Sequence, residues 1–345
     1  MNLQGLWKFP IIQGPMAGGG SSPALAAAVS NAGGLGSLGC GMLSPDAIAG
    51  QVAELRQLSD RPFMLNLFIQ QTPIPSADEI ARAEELLRPV WEGLGWEALP
   101  RPTSWCEDFP SQFDALIALK PRAASFTFGI LNEVQIERLH DAGIVVLGTV
   151  TTVDEALAWE AVGADAVVAS GIEAGGHRGT FLGPQEAADL PARELWKAVA
   201  AECGLPFIAA GGIMTGVDIN EALGSGACAV QMGTAFLVCD EAGIQAAYRH
   251  ALVNAGNVDT RLTRAFTGRY ARGLVNRFME GLQAVESQVP AYPVQNALTA
   301  SIRKAAAQSG DAGNMSLWAG AEVRRARPMP CAQLMQTLVA EMRTE

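Results

Sequence analysis

Eight short apolar runs, each followed by a turn and then a helical pattern, predict an α/β fold built on a (β/α)8 TIM barrel. Most consecutive runs start about 21 to 28 residues apart, which is the length of one strand, one helix and two short loops. The 345-residue chain is 49% hydrophobic, so it can bury a large core. These observations predict a single barrel with additions.

The predicted strands lie at 11–13, 35–38, 63–67, 123–128, 144–147, 166–169, 207–210 and 229–232. Helical patterns follow several of them, beginning with the alanine-rich stretch 23–31 and ending with a helix near 192–203. Ser44 before Pro45 is typical of a helix start. Thr152 and Glu155 have the spacing of a capping box.

Two stretches depart from the strand and helix alternation and define the predicted domain organisation. Residues 70–121 hold proline-rich loops and a charged helix, which predicts an inserted helical segment. Beyond 271 the pattern becomes helical and polar, which predicts a C-terminal helical extension over 271–345 that forms part of a substrate lid. The barrel is therefore expected to comprise 1–69 and 122–270.

Composition restricts the partners of the protein. A formal net charge of −11 argues against nucleic acid and anionic membranes as partners, because both select basic surfaces. The six cysteines are scattered and form no CxxC pair, and the N-terminus has no apolar signal-peptide core. No 18-residue window is continuously apolar. We expect a soluble, cytoplasmic monomer or homodimer with reduced thiols.

Polar residues and glycines follow the predicted strands at the end where barrel enzymes carry their active sites. These residues are Pro15 and Met16 after the first strand, Asn66 at the third, Ser170, Gly175, Gly176 and His177 after the sixth, Gly211 and Gly212 after the seventh, and Gln231, Met232, Gly233 and Thr234 at the eighth.

The loops after the last two strands predict a phosphate site. Glycines in AAGGI and QMGTAF allow backbone N–H groups to approach an anion, and the Thr234 hydroxyl can donate. Tight barrel turns that need glycine for packing would give the same pattern, and we favour a phosphorylated ligand. Gly34, Gly36 and Gly39 also match GxGxxG, but they follow a helix instead of opening one, so they do not indicate a dinucleotide site.

His177 is the predicted catalytic residue. It lies with Glu173 and Arg178 in a glycine-rich turn for which packing alone gives no reason, and its imidazole can change protonation near neutral pH. An ordinary loop with a solvated histidine is the alternative. His140 and His250 lie in helical patterns and are expected to be solvated or capping residues. No HExxH or CxxC spacing is present, so no metal is expected.

Several long motifs in this order resemble the FMN-dependent nitronate monooxygenases, formerly 2-nitropropane dioxygenases, and within them class I. They are QGPMAGGGSSPALAAAVSNAGGLGSLG near the start, NLF at 66–68, SFTFG at 125–129, GIEAGGHRGTF at 171–181, AAGGIMTGVDI and ALGSGACAVQMGTAFLVCDEAG within 209–243, and the late segments AYPVQNALTA and SLWAG. The resemblance covers most of the chain.

This resemblance implies a TIM barrel that binds FMN non-covalently. It implies that Asn66 contacts the flavin, that Gly175 and Gly212 bring backbone N–H groups to it, and that residues 231–234 hold the phosphate. His177 matches the active-site histidine of the family. Ser170 and Ala321 stand where glutamines are common in the family, which affects the expected substrate preference more than flavin binding.

The activity implied is oxidation of alkyl nitronates, such as propionate 3-nitronate, by flavin and O2 to a carbonyl compound and nitrite. A protonated His177 can hold the anionic nitronate, and a neutral one can remove the α-proton of a nitroalkane. The nearest alternative is an FMN-dependent NAD(P)H reductase of the enoyl-acyl carrier protein or quinone reductase type, which shares the GGH and GGI motifs. A metal-free barrel isomerase or aldolase and a non-enzymatic flavin-binding protein are further alternatives.

Overall fold

In the computed structural model, which describes residues 2–256 and 258–343, eight parallel strands form the predicted barrel. In sheet order the strands are 11–13, 229–232, 207–210, 166–170, 145–150, 123–127, 63–68 and 36–39, and a parallel bridge between Ile12 and Leu35 joins the two ends. The TIM-barrel prediction is therefore confirmed. Every predicted strand overlaps an observed one: β1 (Ile11–Gln13), β2 (Gly36–Gly39), β3 (Phe63–Phe68), β4 (Ala123–Thr127), β5 (Val145–Val150), β6 (Ala166–Ser170), β8 (Phe207–Ala210) and β9 (Ala229–Met232).

The strands are apolar on both faces because each face is covered. Small and β-branched side chains such as Ala166 and Val168 fill the barrel interior, while neighbours such as Val167 pack outward against the helices. The helices are α1 (Pro23–Asn31), α2 (Pro45–Leu58), α3 (Ala77–Gly93), α4 (Phe109–Leu119), α5 (Glu133–Asp141), α6 (Val153–Ala161), α7 (Ala192–Glu202), α8 (Gly216–Gly224), α9 (Thr234–Leu237), α10 (Ala246–Val253), α11 (Arg277–Leu282), α12 (Val294–Leu298), α13 (Ala300–Ser309) and α14 (Cys331–Met342). Of the described helices, none is long and apolar enough to cross a membrane.

Two helices that the predicted boundaries place outside the barrel belong to its outer layer. Helix α4 packs against α2 and β3, and α14 packs against α8 and α1. The buried face of α14, which includes Cys331, Leu334 and Leu338, joins the main core between strands and helices. The predicted boundaries at 121 and 271 therefore place α4 and α14 in other segments than the barrel elements that they cover. Residues 1, 257, 344 and 345 of the predicted segments lie outside the described part.

A second apolar core lies above the barrel and is shared by the insertion and the C-terminal segment. Ala83 and Leu87 of α3 pack with Phe266, Phe278 and residues of α12 and α13. The predicted inserted helix therefore rests on the C-terminal segment.

An antiparallel sheet that the sequence analysis misses connects this upper layer to the barrel. It consists of β10 (Thr260–Thr263), β11 (Ala271–Leu274) and the two-residue strand β7 (Gly176–His177). The sheet order is β10-β11-β7, and Ala271 pairs with His177. The segment after 271, predicted to be helical, thus begins with a strand.

The predicted capping box at α6 is only half formed. The Thr152 side chain accepts from the Glu155 N–H, but the buried Glu155 carboxylate does not return to Thr152. It accepts instead from the N–H groups of Thr151 at 2.6 Å and Leu182 at 3.0 Å. A carboxylate buried at this depth requires several donors, and they come from the residue before Thr152 and from the loop after His177.

Candidate active site

A cavity of about 520 Å3 opens at the carboxyl ends of the barrel strands. Ligand pockets are typically of this size. The cavity is lined by every candidate site residue predicted from the sequence: Pro15, Met16, Asn66, Ser170, Gly175, Gly176, His177, Gly211, Gly212, Gln231, Met232, Gly233 and Thr234. Their individual roles remain predictions.

The glycines after β8 have conformations that other residues rarely adopt. Gly211 has φ of +113° and Gly212 has φ of +72°. A Cβ at Gly212 would lie 3.7 Å from Glu173 Cβ, so protein packing does not exclude a side chain there. The backbone conformation, together with the cavity in front of it, is what requires glycine at this position.

The loop after β9 offers polar groups from both backbone and side chains. Gly233 precedes α9 and has no side-chain capping bond, so protein side chains do not cap the first N–H groups of this turn. Thr234 Oγ1 accepts from Gly320 N at 2.9 Å, which joins this loop to the SLWAG segment. Among the described residues, the buried Gln231 Oε1 has no hydrogen-bond partner.

Asn66 has a fixed orientation at the cavity wall. Its Nδ2 donates to Ser125 Oγ at 2.9 Å and to Thr127 Oγ1 at 3.2 Å. Because the amide nitrogen is used by the barrel, Oδ1 is the acceptor that this side chain can offer to a ligand.

His177 is partly exposed to the cavity and otherwise enclosed by protein. Its Nε2 lies 2.9 Å from Thr267 Oγ1. Desolvation, followed by the positive charges of Arg269 and Arg303, lowers the pKa of the imidazole to about 3. The ring is therefore neutral at physiological pH. It lies within 6.5 Å, between ring centroids, of Phe68, Phe128, Tyr292 and Trp318.

Arg178 and Glu173, the charged residues near His177 in the sequence, hydrogen-bond to the backbone of neighbouring loops. Arg178 is 1% exposed and donates to the carbonyl oxygens of Ser170 at 2.9 Å and Ala188 at 3.0 Å. Burial lowers the pKa of Arg178 to about 10. Glu173 accepts from the Ala192 N–H at the start of α7. Arg178 is thus used by the backbone, whereas Glu173 and His177 both line the cavity.

Residues of the C-terminal segment complete the cavity, and the sequence analysis assigns no role to them. Asn296, Arg303, Lys304 and Trp318 line it. Arg303 Nη2 donates to the Asn296 backbone oxygen and Oδ1, at 2.7 and 2.8 Å. Asn296 lies in AYPVQNALTA and Trp318 in SLWAG, two motifs of the family resemblance, so the sequence could have pointed to both residues. Thr267, whose hydroxyl contacts His177, lies in none of those motifs.

Within residues 2–256 and 258–343, no group of three or more His, Cys, Asp or Glu side chains could hold a metal ion.

Comparison with known proteins identifies the family. The nitronate monooxygenase family model matches residues 2–341. A probable nitronate monooxygenase of Staphylococcus aureus strain JH9 is 39% identical over 336 residues, covering 97% of this chain and 94% of the relative. The related protein of strain MRSA252 is 38% identical over the same shares of both chains.

Solved structures agree with this result. The nitroalkane oxidase from Streptomyces ansochromogenes is similar with a TM-score of 0.91 and 42% identity, covering 98% of this chain and 96% of that one. FabK from Thermotoga maritima is more distant, with a TM-score of 0.75 and 29% identity over 97% and 93%. Fold, motifs and relatives thus agree, and the chain belongs to the nitronate monooxygenase family.

Proposed function

We propose that this protein is an FMN-dependent nitronate monooxygenase, which oxidises alkyl nitronates such as propionate 3-nitronate with O2 to the carbonyl compound and nitrite. The observation that carries the proposal is a neutral, enclosed His177 in the same cavity as the glycine loops after β8 and β9. Family membership supports it.

The residues present fit a bound flavin mononucleotide. The buried Gln231 Oε1, unpartnered in the described chain, is an acceptor that a ligand N–H can satisfy. The left-handed backbone at Gly212 and the uncapped turn at Gly233 provide N–H donors suited to one phosphate. Asn66 and Ser170 would contact the ring system, and Pro15 and Met16, which follow β1, line the same cavity. Bound there, FMN supplies the electron-accepting and oxygen-reactive chemistry.

The protonation state of His177 selects between its two predicted roles. In the ligand-free protein, burial lowers the pKa of the ring to about 3, so we propose that the imidazole meets the substrate as a neutral group that can act as a base. A neutral imidazole can accept the α-proton of a neutral nitroalkane. Nitronates arrive already deprotonated, so they are the better substrates for this site.

Positive charge for an anionic substrate comes from the C-terminal segment. Arg303 and Lys304 line the cavity, and Arg303 lies close enough to lower the pKa of His177. These cations attract a nitronate into a protein whose formal net charge is −11. We therefore propose that the segment over 271–345 covers the substrate as part of its lid.

We further propose that the protein acts in the cytoplasm, as a monomer or a homodimer, on a small-molecule substrate. The six cysteines, all within the described residues, are free thiols, as expected in a reducing compartment.

The test is a visible spectrum of the purified protein, identification of the flavin released on heating, and oxygen uptake with a panel of nitronates. We expect a yellow protein that releases FMN and consumes O2 with nitronates. Release of FAD, or no flavin after reconstitution, contradicts the cofactor assignment. Rapid anaerobic bleaching by NADH, with no nitronate oxidation, supports the NAD(P)H reductase alternative instead.

A further inference from the structure

We propose that Thr267 is a positioning residue that keeps the ring proton of His177 on Nε2 and leaves Nδ1 as the nitrogen that meets the substrate. The inference rests on the proposed function, in which His177 is the base. It concerns how the chain presents that base.

The hydrogen bonds around the Thr267 hydroxyl define the direction of the contact. Oγ1 lies 2.9 Å from His177 Nε2 and 3.0 Å from the Arg269 carbonyl oxygen. The hydroxyl has one proton and the Arg269 carbonyl oxygen only accepts, and we take that proton to go to Arg269. The Arg269 N–H also approaches Oγ1, at 3.4 Å, as a second donor. Oγ1 therefore meets His177 as an acceptor, and Nε2 must carry a hydrogen.

The other ring nitrogen has no protein partner. Over residues 2–256 and 258–343, no hydrogen bond to His177 Nδ1 is formed. A neutral imidazole with a hydrogen on Nε2 has its lone pair on Nδ1. His177 borders the cavity, so Nδ1 is the atom left to accept a substrate proton.

Thr267 is held rigidly enough to perform this role. Its side chain is 1% exposed, and a β-branched residue has few χ1 choices. The turn that carries it is closed by bonds from the Thr267 and Gly268 N–H groups to the Arg264 carbonyl, at 3.2 and 2.7 Å. A Cβ at Gly268, whose φ is +79°, would lie 2.1 Å from the Pro290 oxygen. The turn therefore tolerates only glycine after Thr267.

The contact persists through the proton transfer. In that step the Cα–H bond of a nitroalkane breaks, its proton passes to Nδ1, and its electron pair becomes part of the nitronate anion. Nε2–H is a donor in both the neutral and the protonated ring, so Thr267 accepts throughout. The charged and titratable groups around the ring are Arg269 on the same turn, Arg303 on α13, and Tyr292. Among these neighbours, no carboxylate competes with Thr267 for Nε2.

The decisive measurement is 15N NMR of the holoenzyme with labelled histidine, which reports which ring nitrogen carries the hydrogen. The chain has three histidines, and the His177→Asn variant identifies the signal of His177. We expect a hydrogen on Nε2 and a bare Nδ1 in the wild type and in Thr267→Ser. In Thr267→Val, which keeps the shape but not the hydroxyl, we expect the other tautomer or a mixture.

Kinetics provide the second readout. Thr267→Val should lower turnover of a neutral nitroalkane by about 10- to 100-fold, the usual effect of removing an outer-shell partner of a functional histidine. Nitronate turnover should fall less, and Thr267→Ser should restore both. A wild-type signal with the hydrogen on Nδ1 overturns the proposal even if Thr267→Val does not fold. An unchanged tautomer and unchanged turnover in a folded Thr267→Val also overturn it.

The proposal and the proposed function fail separately. If the protein shows no nitronate oxidation but His177 has the expected tautomer that changes in Thr267→Val, the activity is wrong and the positioning is right. If nitronates are oxidised and the tautomer is the opposite one, the positioning is wrong.

Discussion

The barrel and the small sheet that carries His177 are stabilised in different ways. Barrel strands such as β8 are wholly buried and pack by apolar contact on both faces. Strands β7, β10 and β11 are short and partly polar, and one buried and two half-buried arginines attach them to the rest of the molecule. Arg178, Arg269 and Arg272 donate to backbone carbonyl oxygens of residues 170–171, 178, 180, 188, 172 and 260.

Because of this difference, the interactions that stabilise the barrel are not those that position His177. Apolar burial is non-directional and stabilises the barrel in bulk. Guanidinium-to-carbonyl bonds are directional, so they fix a loop in one geometry at the cost of burying a charge. The loop with His177 is thereby positioned without an apolar core of its own. Substitutions can be chosen that affect one region and leave the other intact.

The largest expected effect is on activity alone. His177→Asn should leave FMN bound, because the phosphate site lies on other loops, and should reduce turnover of neutral nitroalkanes by a factor of about 10² to 10⁴. Turnover of preformed nitronates should fall less. Oxygen uptake with both substrates measures the difference. Full activity of the variant on both, with FMN in place, would show that His177 is structural.

The next largest effect is on the attachment of the loop. Arg178→Met removes a buried donor and leaves several carbonyl oxygens unsatisfied, so we expect a loss of about 3 kcal/mol in the free energy of unfolding. Urea unfolding measures it. Arg193→Met, which removes an exposed pair with Glu221, is the control and should change stability by about 0.5 kcal/mol or less. Equal losses in the two variants would refute the difference between the regions.

A third substitution tests the predicted phosphate site at Gly212, in the loop after β8. Gly212→Val should weaken FMN binding about 10-fold, because a β-branched residue is strained at φ of +72° and displaces the backbone from the anion. Gly143→Val is matched for backbone strain, with φ of +77° and no atom within 4 Å of the added Cβ, and lies away from the cavity. Flavin titration of both separates strain from ligand contact, since only the first should lose affinity.

The last effect appears only in acid and concerns stability. His177 has a pKa near 3 in the folded protein against 6.5 for an ordinary histidine, so between these values the unfolded chain binds the extra proton. Stability is therefore lost as the pH falls from 6.5 towards 3. His177→Asn should lose less stability than the wild type over this window, whereas the exposed His250→Asn should follow the wild type. Acid unfolding followed by circular dichroism compares the three proteins, and identical curves would argue against the low pKa.

The barrel could be predicted from the sequence because its signals are local. Strand positions follow from apolar runs such as 207–210, and the site residues at the strand ends follow from the topology. The His177 environment could not be predicted in this way. Thr267 is distant from His177 in sequence, and the Ala271–His177 pairing joins a two-residue strand to a polar one. No periodicity marks either contact.

The position of α14 has a consequence for the synthesis of the chain. This helix packs between α8 and α1, with Met335 Cε 3.0 Å from where a Cβ would stand at Gly34. The apolar side of α1, near the N-terminus, therefore stays uncovered on the ribosome until residues 331–342 have been made. At roughly 5 to 20 residues per second, that interval is on the order of 15 to 60 s. During it the part of α1 that α14 later covers stays exposed, although α2 and β2 already pack on the rest of the helix.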